Sequence, residues 1–538
     1  MTAPPVSPTQ WGAAEIARLV AAREVSAVEV ARAFIDRMEE VASALNAVVF
    51  KRYDLALREA AEVDACLARG ESLGPLAGVP LTVKECFHLA GTPATIGLEK
   101  RRTEIGTDDG ILIRRLRAAG GIILGKTNVP QMMIWHECDN PVFGRTNNPW
   151  NLAHTPGGST GGEGAIIAAR GSPLGLGNDL GGSIRIPCHW CGIHGFKPTS
   201  LRLPRVGTVS TLRGFDTIVT QAGPMARRVE DLSLAMRVLA DASDGYVAGD
   251  VVPGPLGDPA LVRIDKLRIA TWTDDGFFPV SPAIARSVRE AADALRRRGA
   301  EIVELDAVAV GERLRLSEVF DLYCSLLAAD GGAGTAELTR GSPLDWRVAR
   351  MMWMANLRPL ARLTVVRGLR MAGQTWLARL VGHARPTSAA TFWRLAMQKH
   401  ALVRGTLAWL QEARIDALLC PPHALPAPQH IKAYDLLPAA ASAFVFNLLG
   451  LPAGVVSISR VRAGENPPRP TSRDRVEQQA ASVERASVGL PVGVQVASLP
   501  WREDVALGVM GAIEADFCHE PDYPPRALVP SDGPLASA

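Results

Sequence analysis

Apolar residues recur every three to four positions through "AAEIARLVAAREVSAVEVARAFIDRMEEVASAL", and this spacing predicts helices across residues 11–69. The pattern then changes. "LAGVPLTVKECFHLAG" holds a short apolar run, Leu81 to Val83, between Gly and Pro breakers, which predicts a buried strand. "DDGILIRRLRAAGGIILGKTNVP" reads as helix, glycine stop, strand and turn, and "AIIAARGSPLGLGNDLGGSIRIP" repeats that order. "KLRIATWTDDG", a helix from about Pro282, and "AEIVELDA" repeat it once more. Alternating helices and strands predict an α/β fold: one domain with a central twisted, mixed and mainly parallel sheet, covered by helices on both faces.

Two segments depart from the alternation. Residues 461–488 are polar and Pro-rich, which predicts a surface loop. "LLPAAASAFVFNLLGLPAGVVSIS", residues 436–459, is uncharged and long enough to span a bilayer. Pro438, Asn447, Gly450, Pro452 and Gly454 interrupt it, so a buried helix ending near Gly450 and a strand from about Ala453 fit better.

Composition adds limits. The 538 residues are 47% hydrophobic and 21% charged, ordinary values for a globular protein. A net charge of +3 gives no argument for a nucleic-acid partner. That charge is segregated, however: from Arg347 to Gln411 there are ten Arg and one Lys but no Asp or Glu, leaving about −8 elsewhere. Eight scattered cysteines, no N-glycosylation sequon, and an opening "MTAPPVSPTQW" without signal-peptide character lead us to expect a reduced, cytoplasmic protein without an N-terminal membrane anchor.

Candidate chemistry clusters in two glycine-rich stretches. "TPGGSTGGEGA" and "GNDLGGSIR" each set a serine, Ser159 and Ser183, behind a glycine pair. Glycine lets backbone N–H groups converge, so each stretch could pair a nucleophile with an oxyanion hole, or simply form a tight turn. Lys84 ends the apolar strand, where burial favours the neutral amine, a competent base; pairing with Glu85 is the alternative. "CHWCG", with Cys188, His189 and Cys191, offers a C-x-x-C pair, but no second pair stands at zinc-site spacing.

Taken together, "GVPLTVKECF", "GKTNVPQ", "NPVFGRTNNPW", "TPGGSTGGEGA", "GLGNDLGGSIRIP", "CGIHGFKPT" and "GLPVGVQVASLPWRED" resemble the amidase signature family, in family order and across nearly the whole chain. "KECF", "GGEGA" and "GSPLGLG" resemble its fatty-acid amide hydrolase branch. The resemblance implies a signature core over 75–230, a helical cap over 345–410, and a hydrolase of long-chain acyl amides that uses neither cofactor nor metal. It implies Ser183 as nucleophile, Ser159 as bridging serine behind a cis Gly158–Ser159 bond, and Lys84 as base. It further implies an oxyanion hole of N–H groups from Leu180, Gly181, Gly182 and Ser183, an acyl channel walled by Met133 and Ile134, and a homodimer. Asp179 and Arg185 read as a supporting ion pair.

This chain departs from the family at Thr160, where a second serine is usual, and at Asn178, where threonine is usual. Both keep hydrogen-bonding capacity, so tuning is expected. His136 and Glu137 fall where the resemblance weakens, which predicts a more polar channel. The acid-free segment 347–386, rich in Arg, Trp, Met and Leu, predicts peripheral membrane contact through an interfacial helix pair; a buried hairpin with paired arginines is the alternative. Competing functions are a short-chain or aryl amidase, an ester or carbamate hydrolase, and a non-catalytic or transamidation subunit.

Overall fold

The structure, a computed structural model, describes residues 7–243, 250–252 and 254–523. The opening residues 1–6, part of the segment screened for a signal peptide, lie outside it. Eleven strands form one sheet: β1 Val48–Lys51, β2 Pro80–Lys84, β3 Ile122–Thr127, β4 Leu174–Asp179, β5 His194–Lys197, β6 Gln221–Ala226, β7 Arg268–Thr271, β8 Glu301–Glu304, β9 Ala417–Cys420, β10 Ala453–Arg460 and β11 Pro491–Ser498. They lie in the order β1-β3-β2-β4-β6-β5-β10-β11-β9-β7-β8.

The parallel pairs expected from helix–strand alternation fall in two flanking blocks, β3-β2-β4 and β9-β7-β8. The remaining neighbours pair antiparallel: β1 lies on β3 at one edge, and the run β4-β6-β5-β10-β11-β9 joins the two blocks across the middle. The antiparallel β10–β11 pair encloses the polar 461–488 segment, whose composition masked its role as a hairpin-like connection.

Helices form where the apolar spacing places them, except that Val48–Lys51, inside the 11–69 range expected to be helical, pairs with β3 as strand β1. Ala27–Leu45 starts at a reciprocal capping box between Ser26 and Glu29 and buries Val30, Phe34, Met38 and Val41. The uncharged 436–459 stretch becomes helix Ala441–Leu448 followed by β10, as its breakers predict. Among the described residues no helix is long and apolar enough to cross a membrane.

Among the described residues, four apolar clusters hold the molecule together, two of them large. One gathers Phe34, Leu81, Ile184 and Met225; the other gathers Trp190, Ile186, Phe320 and Phe444. Ile184 and Ile186 sit in different clusters, so the segment after Ser183 is anchored on two sides.

Two expectations change in the outer layer. The 461–488 segment is not all loop: Arg475–Arg485 is a helix that buries Val476, Ala480 and Val483. Only those few apolar residues mark it, and polar neighbours hide the period. The acid-free region forms four helices, Trp346–Ala355, Pro359–Met371, Thr375–His383 and Ala389–Glu412. Its arginines divide. The buried Arg347 pairs with Glu137, Asp139 and Asp345, Arg379 pairs with Asp321, and Arg362 donates to backbone carbonyls including that of Val381. Arg358, Arg367 and Arg370 are exposed beside the exposed Leu360, Leu363 and Met371.

Candidate active site

Lys84, Ser159 and Ser183, far apart in the chain, come together because β2 and β4 pair in parallel. Val83 lies opposite Leu176 in that register, which carries Lys84 alongside Asn178. The Lys84 Nζ lies 2.7 Å from Ser159 Oγ, 3.0 Å from Thr160 Oγ1 and 2.7 Å from Asn178 Oδ1. It forms no pair with Glu85, whose carboxylate instead accepts the N–H of Thr95 and Ile96. Burial pulls the Lys84 ammonium down to about 8, against the opposing pull of Cys86, Asp179, Cys138 and Glu163.

The Gly158–Ser159 bond is cis, and Thr160 N–H donates to the Ser183 carbonyl at 3.1 Å, bringing the two serine loops side by side. The two serine hydroxyls do not hydrogen-bond each other in this arrangement. A Cβ on Gly158 would stand 2.3 Å from the Trp135 carbonyl oxygen, so only glycine lets this loop approach so closely.

Asp179 and Arg185 brace the Ser183 loop from beneath. Both are fully buried, with Arg185 Nη2 3.0 Å from Asp179 Oδ1 and its Nε 3.1 Å from Oδ2. Burial alone would raise the Asp179 carboxyl; the Arg185 guanidinium beside it, with Asn447 and the Ile184 N–H, holds it well below the usual carboxylate range. Asp179 also takes the Gly182 N–H at 2.8 Å. This alters the expected oxyanion hole: Gly182 supplies no free donor, while the N–H groups of Gly181 and Ser183 make no hydrogen bond to a described residue. A Cβ on Gly181 would stand 2.1 Å from Tyr323 Oη, so that position too requires glycine. Tyr323, stacked on Phe444 at 4.2 Å, donates to the Leu180 carbonyl at 3.3 Å and presses the loop inward.

Two cavities meet at Ser183. One, of about 230 Å³, is mostly apolar and extends past Met133, Ile134, Leu180, Phe444 and Met352 to the cap helices and Val476. The other, of about 570 Å³, touches Ser159, Asn178 and Ser183 and is walled by Arg205, Thr208, Ser210, Arg213 and Asp216. Met133 borders both. His136 lines the apolar cavity, whereas Glu137 turns away to bind Arg347 and the Ala433 N–H. Glu137 therefore ties helix Trp346–Ala355 to the body and adds no polarity to the cavity.

Glu163, which the sequence did not single out, is buried behind the site. Thr82 and Thr127 hydroxyls lie 2.6 and 2.9 Å from its carboxyl oxygens. Burial raises this carboxyl to about 8, against those two hydrogen bonds and Lys84, so near neutral pH it can hold a proton and spare Lys84 an adjacent anion. Its only sequence signal was a charged residue inside a glycine-rich apolar run. Cys188 and Cys191 are free and buried in helix Arg185–Cys191, with Cys191 Sγ 3.3 Å from the Pro156 carbonyl.

A serine loop, a buried lysine and a glycine-lined turn are shared by many folds, so the comparison with known proteins is decisive. The amidase family matches residues 29–507. The chain belongs to the amidase family. It is an amide-hydrolysing enzyme related to fatty-acid amide hydrolases. It is 31% identical over 514 residues to fatty-acid amide hydrolase 1 of Sus scrofa, covering 93% of this chain and 84% of that protein. Fatty acid amide hydrolase 1 of Caenorhabditis elegans is likewise 31% identical over 514 residues, covering 91% of this chain and 85% of that protein. A solved fatty acid amide hydrolase superposes with a TM-score of 0.82 at 26% identity, covering 95% of this amidase and 86% of the other chain. The fold is thus that of the amidase signature enzymes, with helices flanking a mixed sheet.

Proposed function

We propose that this amidase cleaves long-chain acyl amides through an acyl-enzyme on Ser183, with Ser159 and Lys84 relaying the proton. The meeting at Ser183 of a mostly apolar cavity and a second cavity that carries Arg205, Arg213 and Asp216 in its wall supports the reading. An acyl chain suits the first cavity and a polar amine the second, with the scissile carbonyl between them over Gly181 and Ser183 N–H.

Hydrogen-bond accounting is compatible with Lys84 as the base. Thr160 Oγ1 gives its proton to the Asn178 carbonyl at 3.2 Å, so towards Lys84 it can only accept. Asn178 Oδ1 also only accepts. A neutral amine has two protons for these two partners, and its lone pair is left for the Ser159 hydroxyl. Asn178, where the family usually has threonine, therefore helps to aim the base. Ser159 then takes the proton of Ser183 as that oxygen bonds to the carbonyl carbon. The reverse relay protonates the departing nitrogen, and water resolves the ester.

Chain length is the test. Rates measured on amides from two to about twenty carbons should rise by at least about tenfold as the chain fills the apolar cavity, since each buried methylene adds about 0.8 kcal/mol. Equal rates across the series would leave a short-chain or aryl amidase, or an ester or carbamate hydrolase, as the better reading.

Peripheral membrane contact belongs to the same proposal. Exposed Leu360 (81%) and Met371 (84%) stand on helix Pro359–Met371 with exposed Arg367 and Arg370, and Trp353 is exposed on the preceding helix. Apolar groups among cations suit an anionic interface. Replacing Trp353, Leu360 and Met371 together with serine should weaken binding to anionic liposomes by about tenfold or more without lowering the Tm, because these side chains pack little. Binding that stays unchanged would remove the membrane role. A homodimer, implied by the family resemblance, completes this reading.

A further inference from the structure

His136 brings to the apolar cavity a ring nitrogen to which no described residue hydrogen-bonds. The residue is only 7% exposed. Its Nε2 lies 3.0 Å from the Gly181 carbonyl oxygen. A carbonyl oxygen accepts and never donates, so Nε2 bears the proton and Nδ1 keeps its lone pair. Burial pulls the ring down to about 4, against the Gly181 bond and Asp179, which keeps it neutral near pH 7. Nδ1 makes no hydrogen bond to a described residue, and protein does not cover it.

Such an acceptor needs a donor, because buried polar atoms in native proteins are nearly always satisfied. Water can serve while the cavity is empty, but a chain lying along Met133, Ile134 and Phe444 displaces that water and must then supply the donor itself. The leaving amine is unsuited, since His136 borders the first cavity and not the second, where the amine is placed. Trp135 Nε1 and Tyr434 Oη, in the same wall, also lack partners, though protein covers them.

We propose that His136 Nδ1 accepts a hydrogen bond from a hydroxyl on the acyl chain, making hydroxylated acyl amides the preferred substrates. The proposal rests on the apolar cavity being the acyl site. Gly181, to which the ring is bonded, is two residues from Ser183, so the hydroxyl belongs on the first few carbons beyond the carbonyl. An unsubstituted chain would cover Nδ1 and leave it unpaired. A site built to bond a hydroxyl rejects the analogue without it more strongly than a smooth apolar wall could.

The experiment compares kcat/KM for dodecanamide with its 2-, 3- and 4-hydroxy derivatives, using the full chain. At least one hydroxylated amide should be preferred by about two- to tenfold. His136→Phe should bring that ratio to one or below, and His136→Gln, which can present a carbonyl acceptor, should restore part of it. The ratio within each variant is the readout, so a disturbed Gly181 contact that slows both substrates alike does not alter it. Hydrolysis of dodecanamide with no hydroxyl preference overturns the His136 proposal alone, as does a preference that survives His136→Phe. Failure to hydrolyse every amide in the set overturns the acyl-amide reading beneath it.

Discussion

Replacing Ser183 with alanine is expected to lower amide hydrolysis by about 10⁴-fold or more, the usual cost of removing the nucleophile from a serine hydrolase. The hydroxyl borders both cavities, so it is the group that can reach a carbonyl held between them. Its removal leaves the backbone donors of Gly181 and Ser183 in place, because the loop is held by Asp179 and Arg185 and not by the serine side chain. The variant should therefore fold with an unchanged Tm and bind substrate with similar affinity while forming no acyl-enzyme. A fluorophosphonate probe should label the parent enzyme and not the variant. Ser183→Ala retaining a tenth of the parent rate, or equal labelling of both, would exclude Ser183 as nucleophile.

The second large effect concerns Lys84. Lys84→Ala should reduce kcat/KM by about 10³- to 10⁴-fold, since a positioned general base contributes on the order of 10² to 10⁴ and here also orients Ser159. The pH profile is the sharper readout. The base must be neutral, and burial brings its pKa to about 8. Below that value the neutral fraction falls tenfold per pH unit, so the parent rate should rise with unit slope from about pH 6 and level off near pH 8. Lys84→Ala should lose this limb along with most of its rate. A parent profile that is flat from pH 6 to 9 would mean that Lys84 does not supply the base.

The candidate site was legible in the sequence to the extent that its chemistry is local. Glycine pairs ahead of Ser159 and Ser183, and a lysine closing an apolar strand, follow from backbone freedom and strand period, which a few neighbouring residues decide. Side-chain direction is another matter. His136 and Glu137 are adjacent, yet one lines the apolar cavity and the other meets Arg347, 210 residues away. Gly182 looked like an oxyanion donor until the loop placed its N–H on Asp179. Asn178 reads as a minor substitution until parallel pairing sets it against Lys84.

The sequence by itself determined the alternation of helices and strands, the buried helix and strand at 436–459, the glycine turns, and the order of motifs that marks the amidase signature family. These depend on periodicity and on residues close together in the chain. Only the tertiary structure decided which arginines of the cap are paired and which are exposed, and which of two adjacent residues faces the cavity. It also decided the antiparallel middle of the sheet and which side chains surround the Lys84 amine. Each depends on partners brought together by packing across tens to hundreds of residues, and no local pattern encodes where such a partner will stand.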